Sequence, residues 1–97
     1  MPKKKINIAM IGAAFMGQAH SNAWRKAPMF FDLPVDPVMK VMCRRSRDDE
    51  GLAERYGWEE LETDWEKVVE RDDIDVIDIC TPNHLHPPIA LAAAKAG

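Results

Sequence analysis

Three stretches of this sequence hold residue types that can take up an anion or work beside a reacting carbon. The first is Gly12-Ala13-Ala14-Phe15-Met16-Gly17. In a G-x-G-x-x-G turn between a strand and a helix, the first glycine makes the tight turn. The second lets backbone approach a pyrophosphate, and the third lets the helix lie close on the sheet. Gly12 and Gly17 fill the outer roles, and Ala14 stands at the middle position with one methyl more than glycine. The backbone N–H groups that open the helix, at Phe15, Met16 and Gly17, still offer an anion site. A glycine turn used only for packing is the plainer reading, and its place between a strand and a helix argues against it.

The second stretch is Cys43-Arg44-Arg45-Ser46. At the end of the second strand a dinucleotide site usually presents an acid to the ribose hydroxyls. Here no carboxylate comes before Asp48. Two guanidiniums and a hydroxyl beside a helix start suit a 2′-phosphate, since arginine grips phosphate with two N–H groups or stacks on adenine. The expected cofactor is therefore NADP before NAD. Solvated surface arginines, with Ser46 acting only as a cap, are the alternative.

The third is Thr81-Pro82-Asn83-His84-Leu85-His86. His84 and His86 precede a proline-started helix and can simply cap it, while His86 can also reach a cofactor or substrate. His20 reads as a hydrogen-bonded packing residue. Glu59-Glu60 and Asp72-Asp73 read as solvated helix-end charges, and Trp24, Trp58 and Trp65 as packing. Cys43 and Cys80 lie in apolar runs without a second Cys or a His at metal-ligand spacing, which predicts reduced, buried thiols and no metal.

The elements that must position these groups follow from periodicity and punctuation. Ile6 to Ile11 is a short apolar run of the kind buried on both faces. A helix is predicted from Phe15 to about Lys26, ended by Pro28. Met29 to Pro37 reads as a loop that must tuck Phe30 and Phe31 against something, and Val38 to Cys43 as the second strand. Ser46, with Asp49, opens a helix that Gly57 stops after Tyr56. Thr63 or Asp64 caps a shorter helix to about Arg71, and Asp73 to Cys80 is the third strand. Pro87 and Pro88 fit the first turn of a last helix through Ala96, with Gly97 as its cap. The fold class predicted is α/β: a partial Rossmann fold with three parallel strands in the order 3-2-1 and helices on both faces.

Composition narrows the partners. With 97 residues there is room for one small domain. A net charge of −3 gives no reason to expect nucleic acid or an anionic membrane. Lys3-Lys4-Lys5 before Ile6 to Ile11 has the outline of a signal peptide, but the run is short and closes in a glycine turn, so a cytoplasmic location is expected. No segment approaches the roughly 20 apolar residues of a membrane span.

Met16-Gly17-Gln18-Ala19-His20 after the turn, Asp78-Ile79-Cys80-Thr81-Pro82-Asn83-His84-Leu85-His86, and the closing Ile89 to Gly97 together resemble the Gfo/Idh/MocA oxidoreductases along essentially the whole chain. The resemblance implies hydride transfer between NAD or NADP and a sugar, cyclitol or related polyol. It implies Gly12, Ala14 and Gly17 under the pyrophosphate, and Arg44, Arg45 and Ser46 at the adenosine end. Thr81, Pro82 and Asn83 would form the loop near the nicotinamide half, with His86 behind it. The family's Glu-Lys-Pro segment with its catalytic lysine, and its mostly β substrate domain, have no counterpart in residues 1–97. The chain is thus expected to be the front of a dinucleotide-binding domain, inactive by itself. A non-catalytic binding or interaction module is the alternative. Missing a fourth strand, it is also expected to self-associate through an exposed first-strand edge.

Overall fold

Alternation along the strands decides which helix covers which face. β1 (Lys4–Ile11) sends Ile8 and Met10 to one side of the sheet and Ala9 and Ile11 to the other. β2 (Val35–Cys43) divides Met42 from Val41 and Cys43 in the same way. Residues of both sets are buried, so each strand reads as a continuous apolar run. These relations come from a computed structural model that describes residues 3–44, 50–81 and 86–96.

On the first face lie α1 (Phe15–Phe30) and α2 (Glu50–Tyr56), which bring Trp24, Leu52, Ala53 and Tyr56 onto Ile8, Met10 and Met42. On the second, α3 (Trp65–Val69) and α4 (His86–Ala96) bring Val68, Val69, Ile89, Ala92 and Ala93 onto Ala9, Ile11 and Val41. Each fully buried Ile, Val or Met contributes about 1.5–3 kcal/mol of transfer free energy, which is what holds the layers together. Two short strands complete a four-stranded sheet: β3 (Glu60–Glu62) and β4 (Val76–Ile79). All neighbours are parallel, in the order β3-β2-β1-β4. The α/β class and the parallel sheet are as the sequence predicts.

The placement of the strand at 73–80 is different. It becomes β4 and pairs with β1, Ile8 opposite Val76 through Ile11 opposite Ile79. The place beside β2 is taken by Glu60–Glu62, where periodicity gave no strand because three residues are too few to show one. Asn7 helps to bring β4 in. Its N–H donates to the Asp75 carboxylate at 2.8 Å, its side-chain amide donates to the Asp73 carbonyl at 2.7 Å, and its own carbonyl accepts from Asp75 N–H at 2.9 Å. β1 is therefore an inner strand, paired with β2 from Lys4 to Ile11 and with β4 from Ile8 to Ile11, so most of the first-strand edge expected to drive self-association is covered.

Smaller corrections concern α1, β2 and the acidic pairs. α1 runs on to Phe30 with Pro28 inside its last turn, where a missing N–H costs one bond near the helix end. β2 begins at Val35 and includes Pro37, so the predicted loop is shorter. Phe30 and Phe31 stay 73% and 68% exposed, rather than tucked away. Glu60 is a strand residue, and Arg71 bridges it to Asp73, holding both carboxyls below their usual range. Among the described residues no helix is long and apolar enough to cross a membrane.

Candidate functional site

The carboxyl ends of β1 and β4 meet the start of α1, at the point where the strand order reverses direction. In open α/β sheets this is where ligands bind. Gly12 makes the turn with φ +102°, a conformation L side chains rarely adopt. Its N–H donates to the Cys43 carbonyl at 2.9 Å, and a Cβ on it would fall 2.7 Å from the backbone carbon of Cys80. Gly12 is thus threaded between the ends of β2 and β4, and any side chain there would part them.

Gly17 has the complementary role. A Cβ on it would lie 2.5 Å from the Gly12 carbonyl oxygen, so its absence lets the first turn of α1 sit directly on the loop. The buried Ser21 donates to the Gly17 carbonyl at 2.7 Å and accepts from the Trp58 indole at 2.9 Å, fixing that turn from beneath. Ala14 is the N-cap of α1 with φ −78°, which explains how an alanine serves at the middle glycine position: the backbone there needs no positive φ. It is exposed, Met16 is 51% exposed, and no side chain caps the helix. The first intrahelical acceptance is by the Ala14 carbonyl from Gln18 N–H. The N–H groups of Phe15, Met16 and Gly17 therefore lack intrahelical acceptors, and no acid occupies the first turn to compete for an anion.

Across the crevice, Thr81 follows β4. Its hydroxyl oxygen is buried without a hydrogen-bond partner among the described residues. A buried, unsatisfied hydroxyl beside an amide cradle is what a polar ligand would complete. His86, the first residue of α4, donates from Nε2 to the Thr81 carbonyl at 2.6 Å, which ties the start of that helix to the residue after β4. Pro82 and Asn83 fall outside the described residues, as do Arg45 and Ser46. Arg44 continues the line of β2, its N–H donating to the Glu62 carbonyl at 3.0 Å.

One group of residues near the crevice escaped the sequence reading of functional residues. His20 Nδ1 lies 2.9 Å from both oxygens of Asp78, the Trp24 indole donates to Asp78 Oδ2 at 2.9 Å, and Cys80 Sγ lies 3.2 Å from His20 Nδ1. The signal was present in Val76-x-Asp78-x-Cys80, where alternation puts a carboxylate on an otherwise apolar face. Burial and the Asp78 charge push the Cys80 thiol up to about 12, and burial with Glu62 and Asp64 does the same for Cys43. Both thiols are protonated at neutral pH and unreactive.

This geometry has close counterparts. Residues 6–97 match a family model described as the Gfo/Idh/MocA oxidoreductase family, NAD-binding Rossmann fold. The chain is 45% identical over 96 residues to levoglucosan dehydrogenase of Pseudarthrobacter phenanthrenivorans, covering 97% of the chain and 25% of that protein. The structure of an oxidoreductase domain protein from Kribbella flavida superposes with a TM-score of 0.92 at 48% identity, over 97% of this chain and 25% of that one. That of a levoglucosan dehydrogenase in complex with NADH and L-sorbose gives 0.92 at 45% identity, over 97% and 26%. The chain spans about a quarter of the length of these proteins.

Proposed function

The chain belongs to the Gfo/Idh/MocA oxidoreductase family and carries its NAD-binding Rossmann fold, and from that premise we propose that it is the cofactor-binding part of a dehydrogenase that oxidises or reduces a sugar, cyclitol or related polyol. The observation that carries this reading is the uncapped first turn of α1 at the switch point, together with a Thr81 hydroxyl that is buried without a partner among the described residues. Those groups suit a dinucleotide pyrophosphate and the polar part beyond it.

When bound, the nicotinamide ring supplies the acceptor or donor of the hydride. The protein's own groups bind and orient. Phe15, Met16 and Gly17 N–H groups hold the pyrophosphate, Gly12 and Gly17 keep its approach free of side chains, and Ala14 lies at the rim. The Thr81 hydroxyl gains a partner, Pro82 and Asn83 form the loop beside the nicotinamide half, and His86 braces that loop from behind. Hydride transfer also needs a substrate and a proton-transfer group held at reacting distance, and the residues named here serve the cofactor side of that arrangement. The levoglucosan dehydrogenase at 45% identity supports a sugar as the substrate class.

Two observations bear on the form of the cofactor. The levoglucosan dehydrogenase structure holding NADH supports NAD, and the Arg44-Arg45-Ser46 run supports NADP by suiting a 2′-phosphate. Calorimetric titration of the chain with NADH and NADPH decides between them. NADP is the cofactor if NADPH binds tighter and Arg44→Ala with Arg45→Ala removes the difference. Met16→Asp tests the site itself. A carboxylate in the first turn of α1 leaves the helix favoured but repels the pyrophosphate, so binding should fall about tenfold or more with the melting temperature unchanged. Binding as tight as in the parent chain would refute the placement.

A further inference from the structure

Asp78 breaks the pattern of its strand. Val76 and Cys80, two residues to either side, pack into the core on the α1 face, and alternation puts Asp78 there too. Its side chain is only 15% exposed. A carboxylate so placed is costly unless donors meet it. They come from α1, as His20 and Trp24, and from just past the end of its own strand, where the Cys80 thiol lies 3.6 Å from Oδ1. His20 and Trp24 stand four residues apart on one face of the helix, so a single carboxylate grips two successive turns.

α1 is the element whose first turn meets the pyrophosphate, and β4 is the one that leads into Thr81. From this geometry we infer that Asp78 is a positioning residue, setting the distance between the amide cradle of α1 and the Thr81 end of β4. The inference rests on the dinucleotide reading above. A ligand that touches α1 and the turn after β2, such as ADP, needs no particular placement of β4. A whole dinucleotide spans both walls of the crevice and needs them in register.

The test compares ADP with NADH by calorimetry on the parent chain, Asp78→Asn and Trp24→Phe, with melting temperatures recorded for each. Asn keeps the shape of Asp78 but loses its charge and one acceptor. NADH affinity should fall about tenfold in Asp78→Asn while ADP affinity changes by less than about twofold. Trp24→Phe, which removes one donor and leaves the carboxylate, should show a smaller loss of the same kind and carries the test if Asp78→Asn does not fold. Equal losses for the two ligands, no loss for either, or failure of both variants to fold would overturn the inference while leaving the dinucleotide reading intact. A parent chain that binds neither ligand would remove that reading and the inference with it. Ligand-type atoms of His20, Asp78 and Cys80 lie within 4.8 Å of one another. Zinc is therefore added in a separate melt: stabilisation of the parent chain, absent in Cys80→Ser, would make the cluster a metal site and overturn the inference.

Discussion

The two faces of the sheet are held by different forces. Behind it, α3 and α4 rest on Ala9, Ile11 and Val41 through aliphatic contacts from Val68, Val69 and Ile89. In front, α1 is fixed by directed bonds as well as packing: Trp58 to Ser21 to the Gly17 carbonyl, and His20 and Trp24 to Asp78. Apolar burial is non-directional, whereas a hydrogen bond weakens steeply at poor angles. The helix whose N–H groups are proposed to meet the pyrophosphate is the one held by angle-dependent bonds.

That contrast breaks first at the glycine turn. Gly17→Val drives a branched side chain into the Gly12 carbonyl, a backbone atom that cannot move aside. The expected loss is on the order of 3 kcal/mol, read as a lower urea midpoint. An unchanged midpoint would show that α1 does not lie close on the turn. Val68→Ala is its counterpart behind the sheet. Removing the fully buried side chain should cost about 2 kcal/mol and leave dinucleotide affinity unchanged, because the cavity opens away from the crevice. Weakened NADH binding in a folded Val68→Ala chain would mean that the back face also tunes the site.

The thiols sharpen the comparison by the smallest effect. Cys43 behind the sheet and Cys80 in front both rise from 9.0 to about 12, with burial the first cause in each. Since the folded value is raised, their contribution to stability is fully present below pH 9.0 and is lost as pH rises towards about 12. Melting temperature should fall across that window. At its lower edge Asp78→Asn should speed alkylation of Cys80 and leave Cys43 as it was, because only Cys80 owes part of its shift to Asp78. Equal acceleration at both thiols would point to loosening of the whole core instead.

Local spacing was enough to read the glycine turn, the apolar strands and the order of helix and strand. Each is set by residues within a few positions of one another: Gly12 and Gly17 around one turn, Ile8 and Met10 on one side of a strand, Pro87 and Pro88 at a helix start. The role of Gly17 was legible for the same reason. Strand order was not. Whether the run ending at Ile79 lies beside β2 or beside β1 depends on Asn7 meeting Asp73 and Asp75 across more than sixty positions, and spacing along the chain carries no record of that. Because β4 goes to the far side of β1 and pairs with Ile8 to Ile11, the association expected through that edge loses its basis. The same placement brings Asp78 under His20 and Trp24, so the carboxylate that looked like one more charge in the sequence becomes the tie between helix and strand. Residue types and their periods determined the elements and the amide cradle. Only the tertiary structure decided which distant polar groups were desolvated together, since a buried carboxylate must find its donors wherever the fold brings them.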